Sequence, residues 1–330
     1  MDTSRRSFMA RTWPLLFGIS LAPRTTWAGP ASYPDRPVHF YVPYPPGAAT
    51  DTIGRLAAEV CAKAFGQPFV VENRGGGGTI IGTRALATSS PDGYTIGMVD
   101  STFTINPGLR GSQLPYDTLK DFAPISLIAT APFVLVVHPS VKAKDLESFI
   151  ALAKAQPGKL TFGSAGIGSG PHLAGEQLRQ EAGIDIQHIP YRGGGTVISD
   201  LLGGQVACAF ATVPTLAPYI KAGRLRALAV TSAHRTRLLP NVPTFSELGL
   251  PGVDISPIFG LIAPAGVSAD IIDKLSRTVG QSAHTGQLHE KLTGMGFDAV
   301  GSMPAEFSSR IRSEVAKWKR VIQRGGIKAE

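Results

Sequence analysis

Short β-rich runs alternate with longer helical patterns along this chain, and that rhythm restricts its fold more than any other feature. VHFYVPY (38–44) precedes TIGRLAAEVCAKAF (52–65), FVVEN (69–73) precedes a glycine run, and YTIGMV (94–99) follows. Such alternation predicts parallel sheets with covering helices. After Pro115, the stretch FAPISLIATAPFVLVVHP (122–139), broken by Pro132, is too long for one ordinary strand and reads as a crossover.

The pattern then restarts. DLESFIALAKA (145–155), KLTFGSA (159–165), HLAGEQLRQEA (172–182), DIQHIPY (185–191), TVISDLLGG (196–204), QVACAFATV (205–213) and LRALAVTS (225–232) form a second α/β unit. A Pro-rich region (Pro240, Pro243, Pro251, Pro257) leads to FGLIAPAG (259–266), a second apolar strand broken by Pro264, and then to amphipathic helices near 268–294 and 304–323. The chain is therefore expected to return to its first lobe, giving lobe 1 as 33–131 plus 255–330 and lobe 2 as 132–254. Two crossovers between two α/β lobes place a ligand cleft between them, with a hinge able to close.

With 330 residues, 43% of them hydrophobic and 17% charged, the chain can bury more than one core. Residues 1–28 hold Arg5, Arg6, Arg11 and Arg24 against Asp2, so they carry +3 of the formal +8 and leave a mildly basic +5 body. The remaining basic residues are interleaved with acids and form no aromatic-basic stripe, which argues against nucleic acid as a partner. A weakly positive field suits an anionic solute.

SRRSFMA (Ser4 to Ala10), an apolar stretch from Trp13 to Ala22 and TTWA ending at Ala28 occur in the order of a cleavable signal peptide. Arg5 and Arg6 with Phe8 resemble a twin-arginine signal, although Met9 and Ala10 depart from its usual ending. The expectation is a periplasmic protein cut after Ala28. Cys61 and Cys208, the only cysteines, fall in different predicted lobes and read as two buried free thiols, although an oxidising compartment permits a disulfide.

Glycine-rich loops punctuate the strand ends, where open α/β sheets bind ligands. In VPYPPGAATD (Val42 to Asp51), Thr50 or Asp51 can cap the following helix, while Gly47, Ala48 and Ala49 let a ligand approach its first N–H groups. A carboxylate would sit well there; a tight turn with an ordinary cap accounts for the same residues. ENRGGGGTIIG (Glu72 to Gly82) is the second loop. FGSAGIGSGPH (Phe162 to His172) offers Ser164 and Ser169, and PYRGGG (Pro190 to Gly195) offers Tyr191 and Arg192. His172 could donate to a ligand or pack on its own loop. Arg192 could grip a carboxylate with both arms or serve structure alone.

Nucleotide and catalytic signatures fail. No glycine loop ends in the Lys of a phosphate-binding loop, the G-x-G-x-x-G pattern breaks at Pro171, and G-x-S-x-G is missing. The seven histidines have no metal-ligand spacing, so neither cofactor nor metal is expected. An exported α/β enzyme acting on a carboxylic acid is the competing reading, and it lacks a recognisable acid-base or nucleophilic pair.

The segments VPYPPGAATD, VENRGGGGTIIG, SPDGYTIGM, NPGL with LPYDTLKDFAPISLI, FGSAGIGSGPHLAGEQL, PYRGGG with DLLGGQV, GRLRALAVTS, LLPNVPTFSELGLPG and FGLIAPAG occur in one order across the whole mature chain. In them the chain resembles the Bug (TctC-like) receptors of tripartite tricarboxylate transporters. The resemblance implies a type II periplasmic-binding-protein fold closing over a small organic anion: a dicarboxylate, a tricarboxylate such as citrate, an amino acid or an aromatic acid. It implies as partners the membrane components of such a transporter, or a sensor protein, and a monomeric receptor. Carried over residue by residue, it points to Tyr44, Ala48, Ala49, Thr50 and Asp51, to Ser164, Ala165 and His172, and to Tyr191, Arg192 and Gly193 as ligand-binding. Asp51 cannot welcome a carboxylate and is assigned to capping, or to an ammonium group if the solute is an amino acid. Ala48 replaces the second glycine of the family's first loop, and Ile258 stands where many members carry Trp.

Overall fold

The structure, a computed structural model, describes residues 33–47 and 49–329. The expected signal peptide and Ala48 lie outside the described residues. The first unit runs β1 (Val38–Val42), α1 (Ala49–Phe65), β2 (Phe69–Asn73), α2 (Ile80–Ala87), β3 (Thr95–Asp100), α3 (Ser101–Arg110) and β4 (Phe122–Thr130). After Ala131 and Pro132 come β5 (Phe133–Val137), α4 (Leu146–Ala155), β6 (Thr161–Ser164), α5 (Gly170–Ala182), β7 (Gln187–Pro190), α6 (Gly194–Leu202), β8 (Cys208–Thr212), α7 (Val213–Lys221) and β9 (Arg226–Val230). The chain then returns through β10 (Ile258–Pro264), α8 (Ala269–Thr285), α9 (Gln287–Met295), β11 (Asp298–Ala299) and α10 (Pro304–Gly325).

These strands make two sheets, ordered β11-β4-β10-β3-β1-β2 and β7-β6-β8-β5-β9. Sequence alternation predicts parallel sheets, and the βα units obey it: β1 pairs parallel with β2 and β3, and β6 with β7 and β8. The crossover strands do not. β10 runs antiparallel to β3 and β4, and β5 antiparallel to β8 and β9. A strand that arrives directly from the other sheet, without a covering helix to reverse it, enters from the opposite end.

Local sequence explains the elements. In β1 the alternation puts Val38, Phe40 and Val42 inside. In α1, Ile53, Ala57, Val60 and Cys61 follow helical spacing and bury one face in the same core. Ser169 accepts a hydrogen bond from His172 N–H at the start of α5, Pro171 sits in its first turn, and Gly183 ends it at φ 59°. The middle strands β5 and β10 are buried on both faces, so they read as unbroken apolar runs. Beneath β10, a methyl group at Gly260 would run into the Phe307 ring of α10.

Helices α3 and α10 belong to both halves. Phe103, Phe307 and Ile311 share a core with residues of the first sheet, whereas Ile105, Leu109, Trp318 and Ile322 pack among the side chains around the second sheet. Cys61 and Cys208 are buried in separate cores and unpaired, and burial pushes both thiols up to about 12. Among the described residues no helix is long and apolar enough to cross a membrane.

Candidate functional site

A cavity of about 700 Å³ opens between the carboxyl ends of the βα strands of the two sheets. The starts of α1, α3, α5, α6 and α7 all reach it, through Ala49 and Thr50, Ser101, Gly170 and Pro171, Gly194 and Gly195, and Pro214 and Thr215. Each helix start presents N–H groups without intrahelical partners and the positive end of the helix dipole.

Those starts are not equally free. At α3, Asp100 accepts from Thr102 N–H at 2.9 Å, and at α5 Ser169 plays the corresponding part. Beside α1, Asp51 accepts from Gly47 N–H at 3.0 Å, Arg55 Nε at 3.0 Å and Asn73 Nδ2 at 2.8 Å. By contrast, α6 begins after Gly193 and α7 after Thr212, neither with a side-chain cap. A methyl group placed at Gly193, Gly194 or Gly195 would meet nothing within 4 Å apart from its chain neighbours and the adjoining helix backbone. Of the helix starts whose caps are described, the two without a side-chain cap, those of α6 and α7, are on the second-sheet side.

Of the residues singled out from sequence, Tyr44, Ala49, Thr50 and Ala165 line the cavity. Asp51 is buried beside it; burial acts to raise its carboxyl pKa, but hydrogen bonds from Arg55, Asn73 and Gly47 hold it below the usual range. Ser164 has no exposed surface and its Oγ lies 2.6 Å from His188 Nε2. His172 Nδ1 accepts from Gly168 N–H at 3.1 Å, and its ring stacks on His188 with centroids 4.1 Å apart. Burial, then the neighbouring His188 and Arg179 charges, bring His172 down to about 3; burial and Arg179 bring His188 to about 4. Both rings are therefore neutral near pH 7, and His172 carries its proton on Nε2. Tyr191 donates to Asp200 Oδ2 at 2.8 Å, and burial followed by that carboxylate raises its phenol to about 12. Arg192 is exposed, and Gly193 precedes α6. Ser164, His172 and Tyr191 thus stand behind the cavity wall, their polar atoms engaged within the second lobe.

Sequence reading passed over several lining residues. Asp100 ends β3 and Ser101 begins α3, Thr212 ends β8 and Thr215 lies in the first turn of α7, and neither pair is marked by a glycine loop. Their available signal was position at a strand's carboxyl end before a helix. Ile258 is buried away from the lining, and Phe259 supplies aromatic wall, edge-on to Phe297 at 5.8 Å. Phe133 and Met295 extend this apolar surface. Among the described residues no cluster of His, Cys, Asp or Glu could hold a metal ion.

The sequence matches the tripartite tricarboxylate transporter family receptor (TctC) over residues 53–327. The chain belongs to this receptor family. Among its TctC relatives is Protein BugT of Bordetella pertussis, 38% identical over 298 residues, which cover 90% of this chain and 91% of BugT. Two solved structures have the same fold. The R. palustris protein Rpa4515, determined with adipate, superposes with TM-score 0.85 at 31% identity, covering 90% of this chain and 99% of that one. MatC from Rhodopseudomonas palustris, determined with bound malate, gives 0.82 at 28% identity, covering 88% and 100%. The TctC receptor fold here is that of a two-lobed periplasmic binding protein, as expected from sequence.

Proposed function

We propose that this chain is an exported receptor that binds a small organic acid in the cavity between its lobes and delivers it to the membrane components of a tripartite tricarboxylate transporter or to a sensor. The observation that carries this reading is the convergence of helix starts on one cavity, two of them uncapped. An ionised carboxylate accepts from such N–H groups at about 1.5 to 3 kcal/mol per hydrogen bond, so a few contacts support the ~8 kcal/mol of micromolar binding. Adipate and malate in the related structures support an acid as the ligand.

In this reading lobe 1 (33–131 and 255–330) brings Tyr44, Ala49 and Thr50, and lobe 2 (132–254) brings Ala165, Gly194, Gly195 and Thr215. The receptor is a monomer, directed to the periplasm by residues 1–28, and not an enzyme. The Ser164–His188 contact has the form of a nucleophile and its base, and it is what an enzyme reading would rest on. Ser164 has no exposed surface, so substrate cannot reach its Oγ.

Thermal melts of refolded, ligand-stripped protein with a panel of mono-, di- and tricarboxylates, amino acids and aromatic acids test the proposal. A ligand at 100 times its Kd adds about 2.7 kcal/mol to the native state, and at least one acid is expected to raise Tm by several degrees. A panel without any shift would remove the carboxylate reading; turnover of an acid would replace it with the enzyme.

A further inference from the structure

The cavity that the proposed acid would enter contains an acid of its own. Asp100 lies at the carboxyl end of β3, half-buried and facing the cavity. Its Oδ1 accepts from Thr102 N–H at 2.9 Å. The Tyr44 hydroxyl nearby is paired with Thr102 Oγ1 at 3.0 Å, and among the described residues no cation balances the Asp100 charge. The hydroxyls of Tyr44 and Thr102 are the polar side-chain neighbours of this carboxyl group. Burial pushes the Asp100 carboxyl above the usual carboxylate range, against the opposing pull of Tyr44 and Thr102. The same negative charge helps hold the buried Tyr44 phenol in its neutral form.

The opposite side of the cavity has the reverse character. Gly194 and Gly195 offer uncapped N–H groups, Thr215 stands at the uncapped start of α7, and Lys221 lies exposed on the rim. Between the two poles the wall is apolar. A carboxylate fits the second-sheet pole and is repelled at Asp100.

We propose that Asp100 is the specificity-determining residue of this cleft, selecting an acid whose far end carries a hydrogen-bond donor, ammonium or hydroxyl, and discriminating against an unsubstituted dicarboxylate. The assignment rests on the carboxylate-receptor reading above. An ammonium group gains from the ionised Asp100 both charge and a hydrogen bond, and a hydroxyl gains the hydrogen bond. A second carboxylate gains neither unless one of the two acids takes up a proton.

Two matched ligand sets test this by calorimetry at pH 7.5 on ligand-stripped mature protein: adipate, 6-hydroxyhexanoate and 6-aminohexanoate, and terephthalate, 4-hydroxybenzoate and 4-(aminomethyl)benzoate. Within a set only the far group changes its chemistry. In at least one set the hydroxy or amino acid is expected to bind at least tenfold more tightly than the dicarboxylate. Asp100→Asn and Asp100→Ser both retain a residue able to cap α3, and each is expected to bring that ratio within about threefold by weakening the donor acid and admitting the dicarboxylate. A purely structural Asp100 would leave the ratio unchanged.

The inference is overturned if the wild-type chain binds the dicarboxylate as tightly as its partners, if the preference survives both substitutions, or if other acids bind while all six of these fail. If no carboxylic acid binds in the broader panel, the receptor reading itself falls, and that outcome is distinct from the other three.

Discussion

The two sides of the cleft solve the same backbone problem in opposite ways. On the first-sheet side the β1–α1 loop and the start of α3 are satisfied from within, by Asp51 and Asp100. On the second-sheet side α6 and α7 start after Gly193 and Thr212 without side-chain caps; Val213 N–H of α7 donates to the Pro132 carbonyl and Pro214 has no N–H, so the start of α6 is the part of that wall that waits for an outside acceptor. A capped helix start contributes to folding, whereas an open one loses that stabilisation and keeps its dipole for a ligand. The difference assigns order to one wall and attraction to the other.

The largest test of this contrast is Gly194→Asp. The position has open space, so the variant should fold, but its carboxylate would occupy the α6 donors and repel an anion. Binding of whichever acid the melts identify is expected to weaken at least 100-fold, about 2.7 kcal/mol, with a urea melt no lower than that of the wild type. Wild-type affinity in calorimetry would move the anion elsewhere.

Asp51→Ala probes the satisfied wall and should do the reverse. Loss of the acceptor shared by Gly47, Arg55 and Asn73 is expected to cost about 2 kcal/mol in urea melts without ligand. Affinity should fall far less than in Gly194→Asp. An unchanged melt beside abolished binding would make Asp51 a direct ligand contact.

The smallest effect sharpens the picture of the second-lobe wall. His172 and His188, brought to about 3 and about 4 in the fold, bind protons more readily once unfolded, where histidine titrates near 6.5. Their contribution to stability is therefore fully present above pH 6.5 and is lost as pH falls toward those folded values. Urea melts between pH 6.5 and 5 should show a decline of about 1 kcal/mol per histidine per pH unit. A flat profile there would mean the stacked pair is solvated and the wall looser than described.

Much of this was legible from residue order. The alternation of Val-rich runs and amphipathic helices announced the βα units, Ser169 with Pro171 marked the start of α5, and the PYRGGG run marked the donor-bearing start of α6. What escaped depended on which strands become neighbours. Ser164 ends β6, and the pairing of β6 with β7 brings it to His188, which takes its hydroxyl inward. Nothing local in FGSAGIG records that partner. Tyr191 likewise reaches Asp200 in the second turn of α6. Asp100 and Thr215 were missed for the converse reason: a cleft recruits every strand end that faces it, and a glycine loop advertises only some of them.

The α3–α10 pair gives the molecule a fulcrum. Over its 22 residues, about 33 Å, α10 runs from Phe307 and Ile311 against one core to Trp318 and Ile322 in the other, and none of its residues lines the cavity. Sliding one half past the other would tear one end of this helix from its packing. Rotation about an axis along the helix pair leaves both ends seated and converts a small angle at the spine into a large displacement at the lips of the cleft. In the proposed receptor, the stiffness of that spine, set by apolar side chains outside the cavity, would enter the work a bound solute must do to hold the jaws together.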